Sequence, residues 1–421
     1  LLKEIKVITK FGCKNIKAIK DFDSIEIKPI TIVMGENSSG KSSILQALSL
    51  LNVNKTFGNT IQKIKYDNPF SQFGDNNSFK NRGDEVVFEF EITQNNTKLT
   101  LTYIDDTIDN QYGLLKLVNI YNDDMEVYLE LEDNESLEYK IKIVNIFNND
   151  KINEEIKQLD LYTNLKLLTR IKISSERNPK LPSYVQTNIN DIQESIKFIL
   201  KPLDTFLDNL TSIRHIGMVK EKNETYDYGL DYIGYFGERY KDRALNLEDT
   251  SFLENAISHL FDYDLIVDRN KQELFFELEK KKLQLKMFGS SINSTIPILT
   301  QFALNHESEN RDKYRLTMIE EPELNLHPQS QAKFVEAVFG NERPKNHYAI
   351  IETHSDHTLN KLRYLISQKK VSHEDVVVYY KRKSSKFEKI EINQCGEFTK
   401  PFPKGFYDAT LEDIYALGED C

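Results

Sequence analysis

Apolar and polar positions follow a period of two in some stretches of this chain and a helical period in others. Near the start, IKVIT and SIEI alternate and predict strands, whereas ITIVM over 30–34 is an unbroken apolar run, the mark of a central strand buried on both faces. SSILQALSLL then predicts a helix. Between residues 84 and 143, the stretches VVFEFEI, KLTLTYI, MEVYLELE and LEYKIKI alternate strictly, with QNN, IDDTIDN and YNDD between them. That spacing predicts an antiparallel meander with one solvated face.

The pattern changes after Asn149. Helical periodicity, as in IQESIKFILKPLDTFLDNL, is broken by SSERNPKLPS, so residues 150–262 are expected to form a mainly helical insertion, although 211–262 carry no clear period. LIVD, ELFFELE and LQLKM over 265–287 predict a hairpin-like pair. Helix and strand then alternate through IPILTQFAL, RLTMIE, PQSQAKFVEAVF, YAIIE, HTLNKLRYLISQ and VVVYY, which predicts a parallel sheet with covering helices. The expected organisation is an α/β core completed from both ends of the chain. Residues 1–149 supply its first part with the meander, 263–395 its second part, and 396–421 a tail.

Composition narrows the class. Hydrophobic residues at 39% and charged residues at 29% suit a water-soluble globular chain, and stretches such as Ile30–Met34 fall far short of a bilayer span. The first residues, LLKEIKVITK, have no apolar core of a signal peptide, and Cys13, Cys395 and Cys421 are too scattered for a disulfide framework, so the chain reads as cytoplasmic. A net charge of −11 argues against general attraction to nucleic acid or anionic lipid, leaving only a local basic groove open.

The candidate chemistry begins at residues 35–42, G-E-N-S-S-G-K-S, a full match to G-x-x-x-x-G-K-[ST] between a buried strand and a helix. Gly35 and Gly40 let the backbone curl so that N–H groups of Glu36, Asn37, Ser38 and Ser39 face a phosphate at the positive end of that helix. Lys41 would bridge the terminal phosphates of ATP, and Ser42, followed by Ser43, would ligate Mg²⁺. The competing reading is a glycine turn with a surface lysine. Phosphoryl transfer also needs an acidic element, which LTMIEEPELNLHP supplies. Glu320 is expected to hold the hydrated metal and Glu321 to act as general base on water, with Pro322 keeping Glu321 extended at the strand tip. A helix-capping acidic turn is the alternative. The strand YAIIE ends in Thr353, His354 and Ser355, where His354 could sense a γ-phosphate or simply pack; with His357 it lacks the further ligands of a zinc site.

Taken together, GENSSGKSS, IEEPELNLHP and ETHSD resemble the ABC-type ATPase heads of the SMC group and its double-strand-break-repair relatives. Within that group the pattern looks most like the overcoming-lysogenization-defect type and the ATPase subunits of Septu- or PARIS-like anti-phage systems. The resemblance covers residues 1–50 and 285–395. It implies ATP and Mg²⁺ sandwiched between two copies of the chain, the second presenting a signature turn at a helix start. Gly289, Ser290 and Ser291 match that turn, with the second glycine of relatives replaced; a plain capped helix is the other reading. Gln72 in PFSQFG is the candidate glutamine-loop residue and further metal contact. RHIGMVKE over 214–221 stands where relatives often carry G-P-x-R, without the Pro and Arg.

The stretch after His357 shows no clustered acidic residues of the kind that overcoming-lysogenization-defect nucleases carry, so any cleavage is expected from a separate effector protein, such as a nuclease. The expected function is therefore an ATP-driven assembly switch in anti-phage defence, its partners being a second copy and that effector. Three other readings compete. A DNA-maintenance ATPase of the SMC kind would show long heptad arms, and a transporter subunit an L-S-G-G-Q motif; neither is present. A scaffold that binds ATP without turnover would not need both Glu320 and Glu321.

Overall fold

The unbroken apolar run becomes β3 (Ile30–Gly35), buried at every position, in a computed structural model. The structure describes residues 7–56, 61–66, 88–94, 96–123, 125–133, 137–146, 160–163, 171–174, 200–217, 219, 230–278, 280–307, 313–341, 343–403 and 406. The chain divides into two units: Leu1–Glu26 with Ser43–Ile213, and Ile27–Ser42 with Arg214–Cys421. The α/β class with an antiparallel subdomain, read from the alternation patterns, is the class observed.

The first unit is built on the meander. Among the described residues its sheet has ten strands. These are β1 (Ile8–Lys14), β2 (Asp23–Glu26), β4 (Lys63–Lys65), β5 (Phe88–Gln94), β6 (Thr97–Asp105), β7 (Tyr112–Tyr121), β8 (Met125–Asp133), β9 (Glu138–Ile146), β10 (Asp160–Thr163) and β11 (Ile171–Ser174). Their order is β11-β10-β9-β8-β7-β6-β5-β1-β2, with β4 on β7. Alternation puts Leu99, Leu101 and Tyr103 of β6 and Val127 and Leu129 of β8 into the core. The buried phenols of Tyr103 and Tyr139 donate to the carbonyls of Ile61 and Leu115, each at 2.7 Å, so neither hydroxyl is stranded. Strand β7 had no clean period of two because Gly113, Leu114 and Leu115 are buried in succession, where the β6–β7 register slips at Thr102/Tyr103.

Within the insertion expected to be mainly helical over 150–262, the described residues form strands as well as helices. β10 and β11 are strands, and β10 pairs antiparallel with β9, extending the edge that β9 would otherwise expose. Helical periodicity holds over 200–210, here α2, where Leu203, Phe206, Leu207 and Leu210 are buried at helical spacing. Asn209 on that helix donates to Gln94 Oε1 at 2.9 Å. Residues 147–159, 164–170 and 175–199 lie outside the described residues.

The second unit holds β3 in a sheet with β12 (Ile213–Ile216), β16 (Arg315–Glu320), β17 (His347–Glu352), β18 (Val376–Lys381) and β19 (Glu388–Ile390), ordered β12-β16-β17-β3-β18-β19. β16, β17, β3 and β18 run parallel. The earliest of these four strands in the chain thus lies between later ones. Helix α1 (Lys41–Thr56) starts in this unit, which also has α3 (Tyr240–Leu245), α4 (Ser251–Phe261), α5 (Ser290–His306), α6 (Pro328–Phe339) and α7 (Asp356–Ser367). Three further strands, β13 (Asp264–Asp268), β14 (Glu273–Leu278) and β15 (Lys281–Gln284), form a separate antiparallel sheet. β15 ends at Gln284, and Leu285–Met287 turn as a short 3₁₀ segment where LQLKM read as strand.

Two buried polar clusters tie α5 and β16 to the 231–233 segment. Asn305 Nδ2 donates to Thr317 Oγ1 at 3.0 Å, and Gln301 bridges Asn305 and the Asp231 carbonyl. The Asp231 carboxylate takes Arg214 at 2.7 Å and Arg315 at 2.5 Å, an arrangement that holds its pKa below the usual range despite burial.

The join between β3 and β18 leaves no room for a side chain at Gly35. Its φ is +144°, and an added Cβ would run into the Lys381 carbonyl. Gly35→Ala should therefore cost at least about 2 kcal/mol of stability, read from denaturant titration of the full chain.

Candidate nucleotide site

Three neighbouring parallel strands point the same way, and their register decides which side chains meet at their ends. Glu320 pairs with Glu352 between β16 and β17, and Glu352 pairs with Val33 between β17 and β3. The loop after β3 therefore leaves the sheet beside two carboxylates, at the end where open α/β sheets carry their chemistry.

The loop itself is wound by residues in left-handed regions: Gly35, Ser38 at φ 60° and Gly40 at φ 107°. Glu36 N donates to the Lys381 carbonyl at 2.9 Å, and Ser39 N to the Glu36 carbonyl at 3.3 Å. Glu36, Asn37 and Ser38 are exposed, whereas Ser39, Gly40, Lys41 and Ser43 are buried. The Lys41 ammonium donates to the carbonyls of Gly35 at 3.2 Å and Glu36 at 2.8 Å. Burial lowers its pKa, and the charges of Glu352, Glu321, Glu323 and Glu36 act in the opposite direction. Lys41 is thus not the surface lysine of the competing reading.

The Ser42 hydroxyl donates to Glu352 Oε1 at 2.8 Å. Glu352 is 2% exposed, and among the described residues its second oxygen, Oε2, has no hydrogen-bond partner. Burial pushes its carboxyl up to about 8, and repulsion from Glu320 adds to this, while the Ser42 hydrogen bond and Lys41 oppose it. Glu320 has a different neighbour. Its Oε1 lies 3.1 Å from Nε2 of the buried His215, whose ring packs edge-on against Tyr235 with centroids 4.9 Å apart.

Glu321 departs from the extended conformation expected of a residue before proline: its φ is +46°. The reason lies in the backbone, where its N–H donates to the Glu352 carbonyl at 2.8 Å and its carbonyl accepts from Leu324 N at 3.1 Å. These two bonds turn the chain sharply, at a cost of about 1–2 kcal/mol for a left-handed non-glycine residue. His354 Nε2 lies 3.7 Å from Glu321 Oε1. His354 is held from both sides, since Thr353 N donates to the Val33 carbonyl at 3.0 Å and His354 N to Glu323 Oε1 at 2.6 Å. Ser355 then caps α7, its Oγ accepting from Thr358 N at 3.0 Å. Burial lowers the His354 pKa, Lys41 lowers it further, and Glu321 opposes both.

Ligand atoms of Glu321, Glu352 and His354 lie within 4.8 Å of one another. This trio offers two carboxylates and an imidazole nitrogen; with the Ser42 hydroxyl on Glu352 and the orphaned Glu352 Oε2, its oxygens suit a hard dication such as magnesium.

Of the residues read from the sequence, the structure gathers Lys41, Ser42, Glu320, Glu321 and His354 here. Gly289 and Ser290 are exposed and Ser291 half-buried at the start of α5, where Gly289 is extended and makes no side-chain cap; nothing lies within 4 Å of its added Cβ. Among the described residues no hydrogen bond joins them to the phosphate loop, although Ser294 Oγ lies 3.5 Å from the Leu324 carbonyl. Gln72 lies outside the described residues. Glu352, Glu323 and His215 were not singled out from the sequence. An acidic residue ending the apolar strand YAIIE was the available signal for Glu352.

The AAA ATPase domain family matches this chain over residues 7–359. Endonuclease GajA of Bacillus cereus (strain HuB5-5) is 24% identical over 429 residues, covering 85% of this chain and 58% of that protein. DNA replication and repair protein RecF of Acholeplasma laidlawii (strain PG-8A) is 25% identical over 122 residues, covering 28% of this chain and 33% of that one. The chain thus spans less than two thirds of both curated relatives. Among solved structures, the SMC head domain from Thermotoga maritima is 12% identical with a TM-score of 0.37, covering 91% of this chain and 99% of that chain. The SmcHead bound to the C-winged helix domain of ScpA is 11% identical with a TM-score of 0.38, covering 92% and 98%. No helix among the described residues is long and apolar enough to cross a membrane.

Because the Glu352 carboxyl is raised to about 8 from an ordinary 4.5, ionising it costs the folded state more than the unfolded one. Its contribution to stability is full at low pH and declines as pH rises from the unfolded value through the folded one. Glu352→Gln should therefore raise the melting temperature of the nucleotide-free protein, by more at about pH 8.5 than at about pH 5, in paired thermal scans.

Proposed function

This chain belongs to the AAA ATPase domain family, and from that premise we propose that it binds ATP with magnesium at the Gly35–Ser43 loop, hydrolyses it, and uses nucleotide to close two copies together. The observation that carries this reading is the convergence, at three adjacent strand ends, of the phosphate loop, the Glu320–Glu321 pair and the Glu352–His354 turn. A glycine turn with a solvated lysine would need none of these neighbours.

In this reading the backbone N–H groups of residues 36–41 and the start of α1 hold the phosphates. Lys41 exchanges its two carbonyl acceptors for phosphate oxygens. Ser42 and Glu320 hold the metal and its water shell, with Gln72 as the further candidate contact. Bound magnesium would supply charge neutralisation across the terminal phosphates. Glu321 takes the proton of the attacking water, and its left-handed turn sets the carboxylate near His354, which donates a hydrogen bond to the γ-phosphate region. The open helix start at Gly289, Ser290 and Ser291 faces solvent and is suited to reach the phosphate of a second copy.

The resemblance of the motifs to anti-phage ATPases, together with a relative named an endonuclease, supports an assembly switch that controls a separate effector such as a nuclease. The similarity to a DNA replication and repair protein favours a second reading, an ATPase that acts on DNA. Strong, salt-sensitive DNA binding by the isolated chain would move the balance towards it.

Two variants test the leading reading. Lys41→Ala should abolish ATP binding in calorimetry. Glu321→Gln should keep binding, lower phosphate release by about 10²–10⁴-fold, and shift the chain from monomer to dimer with ATP in sedimentation. A monomer under those conditions would refute the closure.

A further inference from the structure

The Ser42 hydroxyl is wired to Glu352, not to the acidic pair that the sequence nominates. Its Oγ donates to Glu352 Oε1 at 2.8 Å, while Glu320 sits 3.1 Å from His215. A serine hydroxyl has one hydrogen and two lone pairs. When the hydrogen is committed to a buried carboxylate, the lone pairs are left facing the other way, so the rotor is set rather than free. An oxygen held in that orientation is ready to ligate a cation, and a carboxyl acceptor behind it makes it a stronger donor of electron density.

The second oxygen of the same carboxylate points to the same conclusion independently. Glu352 Oε2 is buried and has no hydrogen-bond partner among the described residues, although buried carboxylate oxygens are nearly always satisfied. Packing does not account for this, because a carboxylate is a costly filler at a strand end. The strand register places this oxygen's residue beside both Glu320 and the phosphate-loop strand. Ligand atoms of Glu321 and His354 lie within 4.8 Å of those of Glu352.

We propose that Glu352 is a positioning residue for magnesium: Oε1 fixes the Ser42 rotor so that its lone pair meets the ion, and Oε2 accepts from the ion's water. This rests on the nucleotide reading above and adds a carboxylate that neither the phosphate loop nor the acidic strand contains. It assigns Ser42 and Glu352 to one unit, with Glu320 as a second acidic arm steadied by His215.

Binding of a fluorescent ATP analogue to the full chain, titrated with magnesium and repeated with chelator, tests the assignment. In Glu352→Gln the magnesium concentration for half-maximal binding should rise by about 10-fold or more, and in Glu352→Ala further still. Binding of metal-free nucleotide should stay the same. Glu352→Gln preserves shape, and a retained cooperative melt confirms that it folds. An unchanged magnesium midpoint in Glu352→Gln overturns the proposal. So does an equal loss of binding with and without magnesium, which is the signature of a structural role. Failure of the unaltered chain to bind nucleotide at all would instead bring down the nucleotide reading, and this assignment with it.

Discussion

A buried carboxylate beside a buried ammonium, both at the rim of one parallel sheet, is the constraint around which the second unit is arranged. Glu352 and Lys41 each lose hydration, and each shifts toward its neutral form because of it. What makes the pair tolerable is a dense set of fixed partners: two loop carbonyls for Lys41 and the Ser42 hydroxyl for Glu352. The register of β16, β17 and β3 sets this geometry, because the pairing Glu320↔Glu352↔Val33 brings the ends of β16 and β17 level while β3 runs on to Gly35. A slip of one residue would send those side chains to the opposite faces of the sheet.

Backbone strain collects at the same place. Gly35, Ser38, Gly40 and Glu321 all occupy positive φ, and the non-glycine members carry a steric cost there. Each stretch is overdetermined by hydrogen bonds to a neighbouring strand, from Glu36 to Lys381 and from Glu321 to Glu352. Such anchoring keeps a strained turn in a single conformation, which is what a site that orients phosphate and water requires. Further from the strand tips, the Asn305–Thr317 bond and the Arg214–Asp231–Arg315 cluster keep α5 and β16 in fixed relation, so the exposed helix start at Gly289 rests on a rigid base.

Much of this was legible in residue order. The phosphate loop, the acidic strand and the histidine strand all lie on local runs in which an apolar strand of a few residues leads into a turn with its chemistry at the tip. Period-two alternation likewise announced β5, β6, β8 and β9. Strand β7 escaped because a register slip buries three residues in succession, and a slip belongs to a pair of strands rather than to either one. β10 and β11 escaped for a related reason: short segments join a sheet when a partner edge is available, whatever their own period says. The extended Glu321 expected from Pro322 gave way to a left-handed turn because two backbone bonds outweigh a local preference.

Motif spacing alone located the G-x-x-x-x-G-K-S loop, the Glu320–Glu321 pair and a histidine at a strand end, since each of these is encoded within a dozen consecutive residues. Which acid holds Ser42 could not be read that way. Glu352 is 310 positions from Ser42 along the chain, and their hydrogen bond exists because β3 slots between β17 and β18. Pairing between strands so distant in sequence is a property of the folded sheet, and it is there that the partner of Ser42 was chosen.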